Sequence, residues 1–197
     1  MRFSHREKKD LLIAGFMISI AFAILFSGGY RVLISSGGVF LVAFSVAFFT
    51  AGIGFLLHEL MHKYVAQRYG LFAEFKAFYG MLWLAILFSM FGFIIAAPGA
   101  VMIRGNLTRE KNGKIALAGP LTNIILALIF LALVFIFPIS PLKEFLSVGL
   151  TINALLAAFN MIPSVPFDGG KVIAWDKKVY TITTIIAVGL FIGSFFV

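Results

Sequence analysis

Two histidines and a glutamate stand at a spacing that suits metal chemistry. Residues 58–62 read His-Glu-Leu-Met-His, an HExxH pattern that holds two of the chain's three histidines. On a helix, residues four apart share a face, so His58 and His62 can reach one metal ion with Glu59 beside it. Two neutral imidazole nitrogens bind Zn²⁺ at about 2.0–2.1 Å, and a neighbouring carboxylate can accept a proton from water. The pattern therefore predicts a zinc site with Glu59 as the base.

A catalytic zinc site normally has three protein ligands, so one more must come from elsewhere in the chain. Because the sequence contains no cysteine, that ligand must be a histidine or a carboxylate. Asp168 is the candidate, in the segment NMIPSVPFDGG at 160–170, whose two prolines and two glycines predict unwound backbone. Taken alone, Asp-Gly-Gly is more typical of a simple turn.

The composition places these residues in a membrane. Of 197 residues, 61% are hydrophobic and only 12% are charged, which is more apolar surface than a water-soluble globule of this size can bury. A spanning helix needs about 20 residues, so these residues leave no room for a large soluble catalytic domain. Short connections predict a single integral-membrane domain over 1–197 with its core at 39–170. Six apolar runs cover 11–26, 39–65, 81–97, 115–137, 145–162 and 179–197.

The distribution of Lys and Arg favours one topology over the others. If all six runs cross, the sixteen basic residues divide evenly between the two sides. If 81–97 instead enters and leaves on one side, fourteen lie inside, and only Arg31 and Lys143 lie outside. We therefore expect a cytoplasmic N-terminus and active-site side, a re-entrant or interfacial segment at 81–97, and an extended hairpin near Pro98 and Gly105.

This topology also supports Asp168 as the third ligand. Two crossings, an even number, then separate His62 from Asp168, which brings both to one side of the membrane. The predicted fold class is an all-α polytopic membrane protein with five to six transmembrane helices. A re-entrant or extended element follows the HExxH helix.

Two longer patterns resemble a known family. HELMHKYVAQRYG at 58–70 fits HExxHxxxAxxxG, and 160–170 fits NxxPxxPxDGG. Together they resemble the site-2 protease family of intramembrane zinc metalloproteases, and AGPLTN at 118–123 resembles a third element in the family order. The resemblance implies zinc held by two histidines and an aspartate with a glutamate as base, here at His58, His62, Asp168 and Glu59.

The resemblance extends to supporting residues. It implies an extended element after the metal helix that presents substrate as an added strand, which the region 81–114 matches only loosely. It also implies that Asn160 positions the substrate backbone, although Asn160 is also suited to cap the end of its helix. Asn123 is expected to be structural, bonded to a neighbouring helix or to the unwound segment.

The predicted reaction is hydrolysis of peptide bonds in or near transmembrane segments of other membrane proteins, which must unwind locally first. The expected partners are such a substrate and the lipid bilayer. Nucleic acid is not expected, because the basic residues form short clusters between apolar runs. The alternatives are a membrane metal-binding or transport protein and an inactive protease homologue. Ionisable residues gathered at one depth disfavour a transport path, and the presence of Glu59 disfavours an inactive homologue.

Overall fold

The computed structural model describes residues 1–30, 37–94 and 97–197. Arg31 and positions 95–96 of the third apolar run lie outside the described residues. The helices are α1 (His5–Phe26), α2 (Gly37–Ala47), α3 (Ile53–Arg68), α4 (Tyr79–Ser89), α5 (Arg109–Ile136), α6 (Leu142–Asn160), α7 (Asp168–Trp175) and α8 (Lys177–Gly193). A π-helical turn (Phe48–Gly52) joins α2 to α3, a 3₁₀ turn (Ser194–Phe196) follows α8, and the strands are β1 (Phe72–Ala77) and β2 (Gly99–Arg104).

The protein is an all-α polytopic membrane protein, as predicted. Within the described residues, five helical stretches are long and apolar enough to cross a membrane. Exposed large apolar side chains such as Ile125, Ile129 and Phe135 on α5 suit contact with lipid. The five stretches are His5–Phe26, Gly38–Arg68, Arg109–Ile136, Leu142–Asn160 and Lys177–Phe196.

The apolar run 81–97 forms no spanning helix within its described part. Its helix α4 has 11 residues and is therefore about 16 Å long, roughly half the thickness of the hydrocarbon core. The region after the HExxH helix consists of β1, α4 and β2. A short apolar helix between two strands agrees with the expected re-entrant or extended element, while the side on which it lies stays a prediction.

The extended segment near Pro98 pairs differently from the expected local hairpin. β2 pairs with β1, which precedes α4, and Phe78 N donates to Pro98 O at 3.0 Å. The approach is close because Gly99 has no side chain: a Cβ there would lie 2.5 Å from Lys76 O. The turn residues thus mark the boundaries of a strand whose partner lies more than twenty residues away, which local turn chemistry does not reveal.

The chain divides into two compact units. One contains Arg2–Leu56 and Glu74–Met102, in which α1 packs against α2 and α4. The other contains Leu57–Ala73 and Ile103–Val197, in which α5 packs against α6 and α7, and α6 packs against α8. The single-domain interpretation over 1–197 stays a prediction.

In the first unit, α1 supplies carboxylate acceptors to the backbone of β1. Glu7 Oε1 accepts from Phe75 N at 2.8 Å, and Asp10 Oδ2 accepts from Ala77 N at 3.1 Å. Alternate N–H groups of a strand point to the same edge, so the two buried carboxylates cover one edge of β1. Asp10 Oδ1 also accepts from the Tyr79 hydroxyl at 2.5 Å, and this bond raises the pKa of Tyr79 above its ordinary value.

Replacing Asp10 tests this arrangement. Asp10→Leu removes the acceptor of Ala77 N and of the Tyr79 hydroxyl, and the buried Ala77 N–H left unpaired costs about 1–3 kcal/mol, whereas Tyr79 is exposed. We expect a clearly lower melting temperature in detergent for Asp10→Leu. Asp10→Asn keeps one carbonyl acceptor, so its melting temperature should lie between those of Asp10→Leu and the unmodified chain. Equal melting temperatures for Asp10→Leu and the unmodified chain would contradict a stabilising role of this contact.

Candidate active site

The three predicted ligand side chains lie together in the second unit. His58 and His62 are one turn apart on α3, and Asp168 is the first residue of α7. Asp168 Oδ2 is 3.4 Å from His58 Nε2 and 3.0 Å from His62 Nε2. All three residues are buried, and one ligand atom from each lies within 4.8 Å of the others. Local helix spacing thus supplies two ligand atoms, and the packing of α7 brings in the third.

These distances fit a zinc ion. Four ligands at about 2.0–2.1 Å around a tetrahedral ion lie about 3.3–3.4 Å from one another. The two separations from Asp168 Oδ2 in the structure, 3.4 and 3.0 Å, are close to that value. Two imidazole nitrogens and one carboxylate oxygen are ligands that zinc prefers, and three of them leave the fourth position open, as in catalytic zinc sites.

The second ring nitrogen of each histidine has a buried partner. His62 Nδ1 lies 2.7 Å from Ile115 O, and His58 Nδ1 lies 2.5 Å from Asn123 Oδ1. A backbone carbonyl only accepts hydrogen bonds, so His62 Nδ1 carries a proton, and in the neutral ring that binds a metal Nε2 keeps its lone pair. Such partners hold a metal-binding imidazole in one orientation.

A glycine of α5 makes room for the ligand atoms. A Cβ at Gly119 would lie 2.5 Å from His58 Nε2 and closer still to His62 Nε2. The backbone of α5 therefore lines the site directly. The sequence patterns did not indicate a role for Gly119, although it lies in the AGPLTN segment. A glycine in an apolar helix next to Pro120 was the available signal.

The segment before Asp168 differs in part from the prediction. Residues 161–167 are irregular as expected, but Asp168 begins helix α7, and both Gly169 and Gly170 lie inside that helix. The two glycines permit close packing instead of unwinding the backbone. A Cβ at Gly169 would overlap the carbonyl group of Met161, and one at Gly170 would lie 3.3 Å from Ser164 O.

The two carboxylate oxygens of Asp168 have different partners. Oδ2 faces the histidines, whereas Oδ1 accepts from Lys171 Nζ at 3.0 Å, one turn further along α7. Burial by itself raises the pKa of Asp168, but when the imidazoles are protonated, the charge of His62 and hydrogen bonds from both rings hold it well below its ordinary value. The carboxylate is therefore ionised, as a metal ligand must be.

The candidate base lies on the same helix as the histidines. Glu59 follows His58 directly, is 9% exposed, and lies close enough to interact with the charges of His58, Asp168 and Lys171. Lys171 reaches the same region from α7 with a half-exposed side chain. The Glu59 carboxylate thus lies near His58, His62 and Asp168 but does not belong to that group of candidate ligands.

The two candidate asparagines have different surroundings. Asn160 Nδ2 donates to Leu156 O at 2.9 Å, in the last turn of α6, so its amide bonds its own helix; its role in positioning substrate stays a prediction. Asn123 is fully buried and bonds both the His58 ring and Asn153 of α6. The sequence indicated a bond to a neighbouring helix but missed both the contact with His58 and the residue Asn153.

Fold and site together define a multi-pass membrane protein with a buried His-His-Asp group suited to zinc. The chain is 41% identical to "Putative zinc metalloprotease MJ0611" of Methanocaldococcus jannaschii, over 99% of this chain and 97% of that protein. It is 31% identical to zinc metalloprotease MJ0392 of the same organism, over 67% of this chain and 34% of that longer protein. It is also 32% identical to "Putative zinc metalloprotease YwhC" of Bacillus subtilis, over 61% of this chain and 64% of that protein.

The chain therefore belongs to the zinc metalloprotease family that includes these archaeal and bacterial proteins. The predicted zinc cofactor is confirmed, and the predicted hydrolase activity is that of a metalloprotease. No family model and no solved structure matches the chain.

Asp168→Asn tests the third ligand. The substitution replaces an ionised oxygen ligand by a neutral amide of the same size, so we expect zinc to bind at least about tenfold more weakly. Elemental analysis of purified protein, after dialysis against a chelator of graded strength, measures this effect. Asp176→Asn is the matched control, because Asp176 Oδ1 caps the start of α8 by accepting from Lys178 N and Val179 N. Unchanged zinc content in Asp168→Asn would exclude Asp168 as a ligand.

Proposed function

We propose that this chain is an intramembrane zinc metalloendopeptidase of the site-2 protease family. It hydrolyses peptide bonds in or near transmembrane segments of other membrane proteins. It acts in the cell membrane, with its N-terminus and active-site side facing the cytoplasm. The observation that carries the proposal is the buried group of His58, His62 and Asp168, two of whose members lie on a helical stretch long and apolar enough to span the bilayer.

In this proposal each residue has one task. His58 and His62 bind zinc through Nε2, and Asp168 binds it through Oδ2. Zinc, when bound, polarises the substrate carbonyl and makes a water molecule more acidic. Glu59 accepts a proton from water on its carboxylate and returns it to the amine of the departing peptide. Asn160 positions the substrate backbone, and Asn123 supports the site.

The substrate must expose a peptide bond within an apolar environment. A helical segment keeps its carbonyl groups in backbone hydrogen bonds, so it has to unwind before hydrolysis. Pairing of the unwound stretch with a strand restores those bonds. The β1–β2 sheet, which follows the HExxH helix in the chain, supports this mode of substrate presentation.

Reconstitution into liposomes tests the proposal. The protein is incorporated together with a panel of tagged single-span membrane proteins, and the products are mapped by mass spectrometry. We expect cleavage in or within a few residues of the spanning segment, lost on chelation and restored by Zn²⁺. Zinc uptake into dye-filled liposomes without cleavage would favour a transporter. Zinc binding with neither activity would favour an inactive homologue.

A further inference from the structure

Two buried amides connect a predicted zinc ligand to the backbone of α6. Asn123 Nδ2 donates to Asn153 Oδ1 at 3.0 Å, and Asn153 Nδ2 donates to Gly149 O at 2.9 Å. Both asparagines have 0% of their surface exposed. With the contact between Asn123 Oδ1 and His58 Nδ1, the path from the imidazole ring to the helix carbonyl is continuous.

The carbonyl at the end of this path determines its direction. Gly149 O only accepts, so Asn153 must turn its NH₂ group toward it and its Oδ1 toward Asn123. Asn123 then turns its own NH₂ group toward Asn153 and its Oδ1 toward His58. Because an amide oxygen only accepts, the proton of a neutral His58 ring lies on Nδ1, and Nε2 keeps its lone pair for a metal.

We propose that Asn153 is a positioning residue of the zinc site: through Asn123 it holds His58 in the tautomer and orientation that present Nε2 to the metal. The inference rests on the proposed role of His58 as a zinc ligand. It adds a residue outside the HExxH and NxxPxxPxDGG patterns, nearly one hundred positions from His58 in the chain.

The other histidine does not depend on this path. His62 Nδ1 bonds Ile115 O directly, and a backbone carbonyl cannot turn over as an amide can. Asn123 has two faces of similar shape, and the bond to Asn153 helps to fix that its oxygen, and not its NH₂ group, meets the ring. Loss of Asn153 therefore weakens the placement of His58 and leaves that of His62 unchanged.

A double-mutant cycle on zinc affinity tests the proposal with the full-length protein in detergent. Zn²⁺ is titrated in competition with a chromophoric chelator for Asn153→Leu, Asn123→Leu and the double variant. Loss of an outer partner of a metal-binding histidine typically costs about 10- to 100-fold in affinity, and we expect Asn153→Leu to weaken zinc binding about tenfold. Because Asn153 acts through Asn123, the double variant should bind zinc no more weakly than Asn123→Leu alone.

Two further variants separate positioning from general stability. Thr151→Val removes another polar group of α6, whose hydroxyl donates to Ser147 O, and should leave zinc affinity unchanged. Asn153→Thr keeps a hydroxyl that can donate to the carbonyl four residues earlier, as Thr151 does, and it serves the same cycle if Asn153→Leu does not fold. The loss of zinc affinity in Asn153→Thr should be smaller than that in Asn153→Leu. It should disappear when Asn123→Leu is also present.

Two results would overturn the proposal. One is unchanged zinc affinity in Asn153→Leu, and the other is a loss in the double variant equal to the product of the two single losses. The proposed protease function fails by a different result, absence of cleavage by a zinc-loaded wild-type protein, which leaves this cycle measurable. A Co²⁺-loaded sample supplies a second readout, because we expect the visible spectrum of Asn153→Leu to differ from that of the wild type.

Discussion

Glu59→Gln is expected to bind zinc as the unmodified chain does and to lose peptide hydrolysis by about 10²- to 10⁴-fold, the usual contribution of general acid–base catalysis. The side chain keeps its size but can no longer accept the proton of water. His58, His62 and Asp168, the grouped ligand candidates, remain intact. Elemental analysis and the liposome cleavage assay, performed on the same preparation, measure the two quantities separately.

A surface carboxylate provides the matched control for Glu59. Glu110 lies at the start of α5, where its carboxylate accepts from Lys114 at an exposed position. Glu110→Gln should change neither zinc content nor cleavage, because exposed pairs contribute little. Cleavage that persists in zinc-loaded Glu59→Gln would show that another group takes the proton, and loss of zinc would assign Glu59 a role in metal binding instead.

Gly119→Ala is expected to impair zinc binding severely. The added methyl group would lie 2.5 Å from His58 Nε2 and nearer to His62 Nε2, in the space where the two ligand atoms converge. The rings have little freedom to move aside, because Asn123 and Ile115 hold their opposite nitrogens. Overpacking of this kind costs about 1–3 kcal/mol, which corresponds to zinc affinity about 5- to 150-fold lower.

The same substitution elsewhere separates a local effect from a general one. A Cβ at Gly189 on α8 would meet no atom within 4 Å, so Gly189→Ala should preserve both zinc affinity and cleavage. Melting temperatures of the metal-free variants show whether Gly119→Ala still folds. Wild-type zinc affinity in a folded Gly119→Ala protein would be incompatible with ligand atoms placed as they are here.

Much of the site followed from local patterns. The four-residue spacing of His58 and His62 determines that they share a face of any helix, whatever its surroundings. The apolar runs predicted helices of about the 20 residues that a membrane crossing requires, and the basic residues between the runs indicated that Asp168 returns to the side of the histidines. In the structure these three side chains meet.

The contacts of Gly119, Asn153 and Asp10 depend instead on which faces of distant elements meet. The bond between Asn123 and Asn153 joins residues 30 positions apart, and that between Asp10 and Ala77 joins residues 67 positions apart. In a membrane, lipid is as apolar as the side chains of the helices, so apolar patterning does not reveal which face packs inward. Local spacing and the distribution of basic residues could therefore indicate the candidate ligands, but only the packed helices could reveal the glycine that makes room for them and the amides that orient one of them.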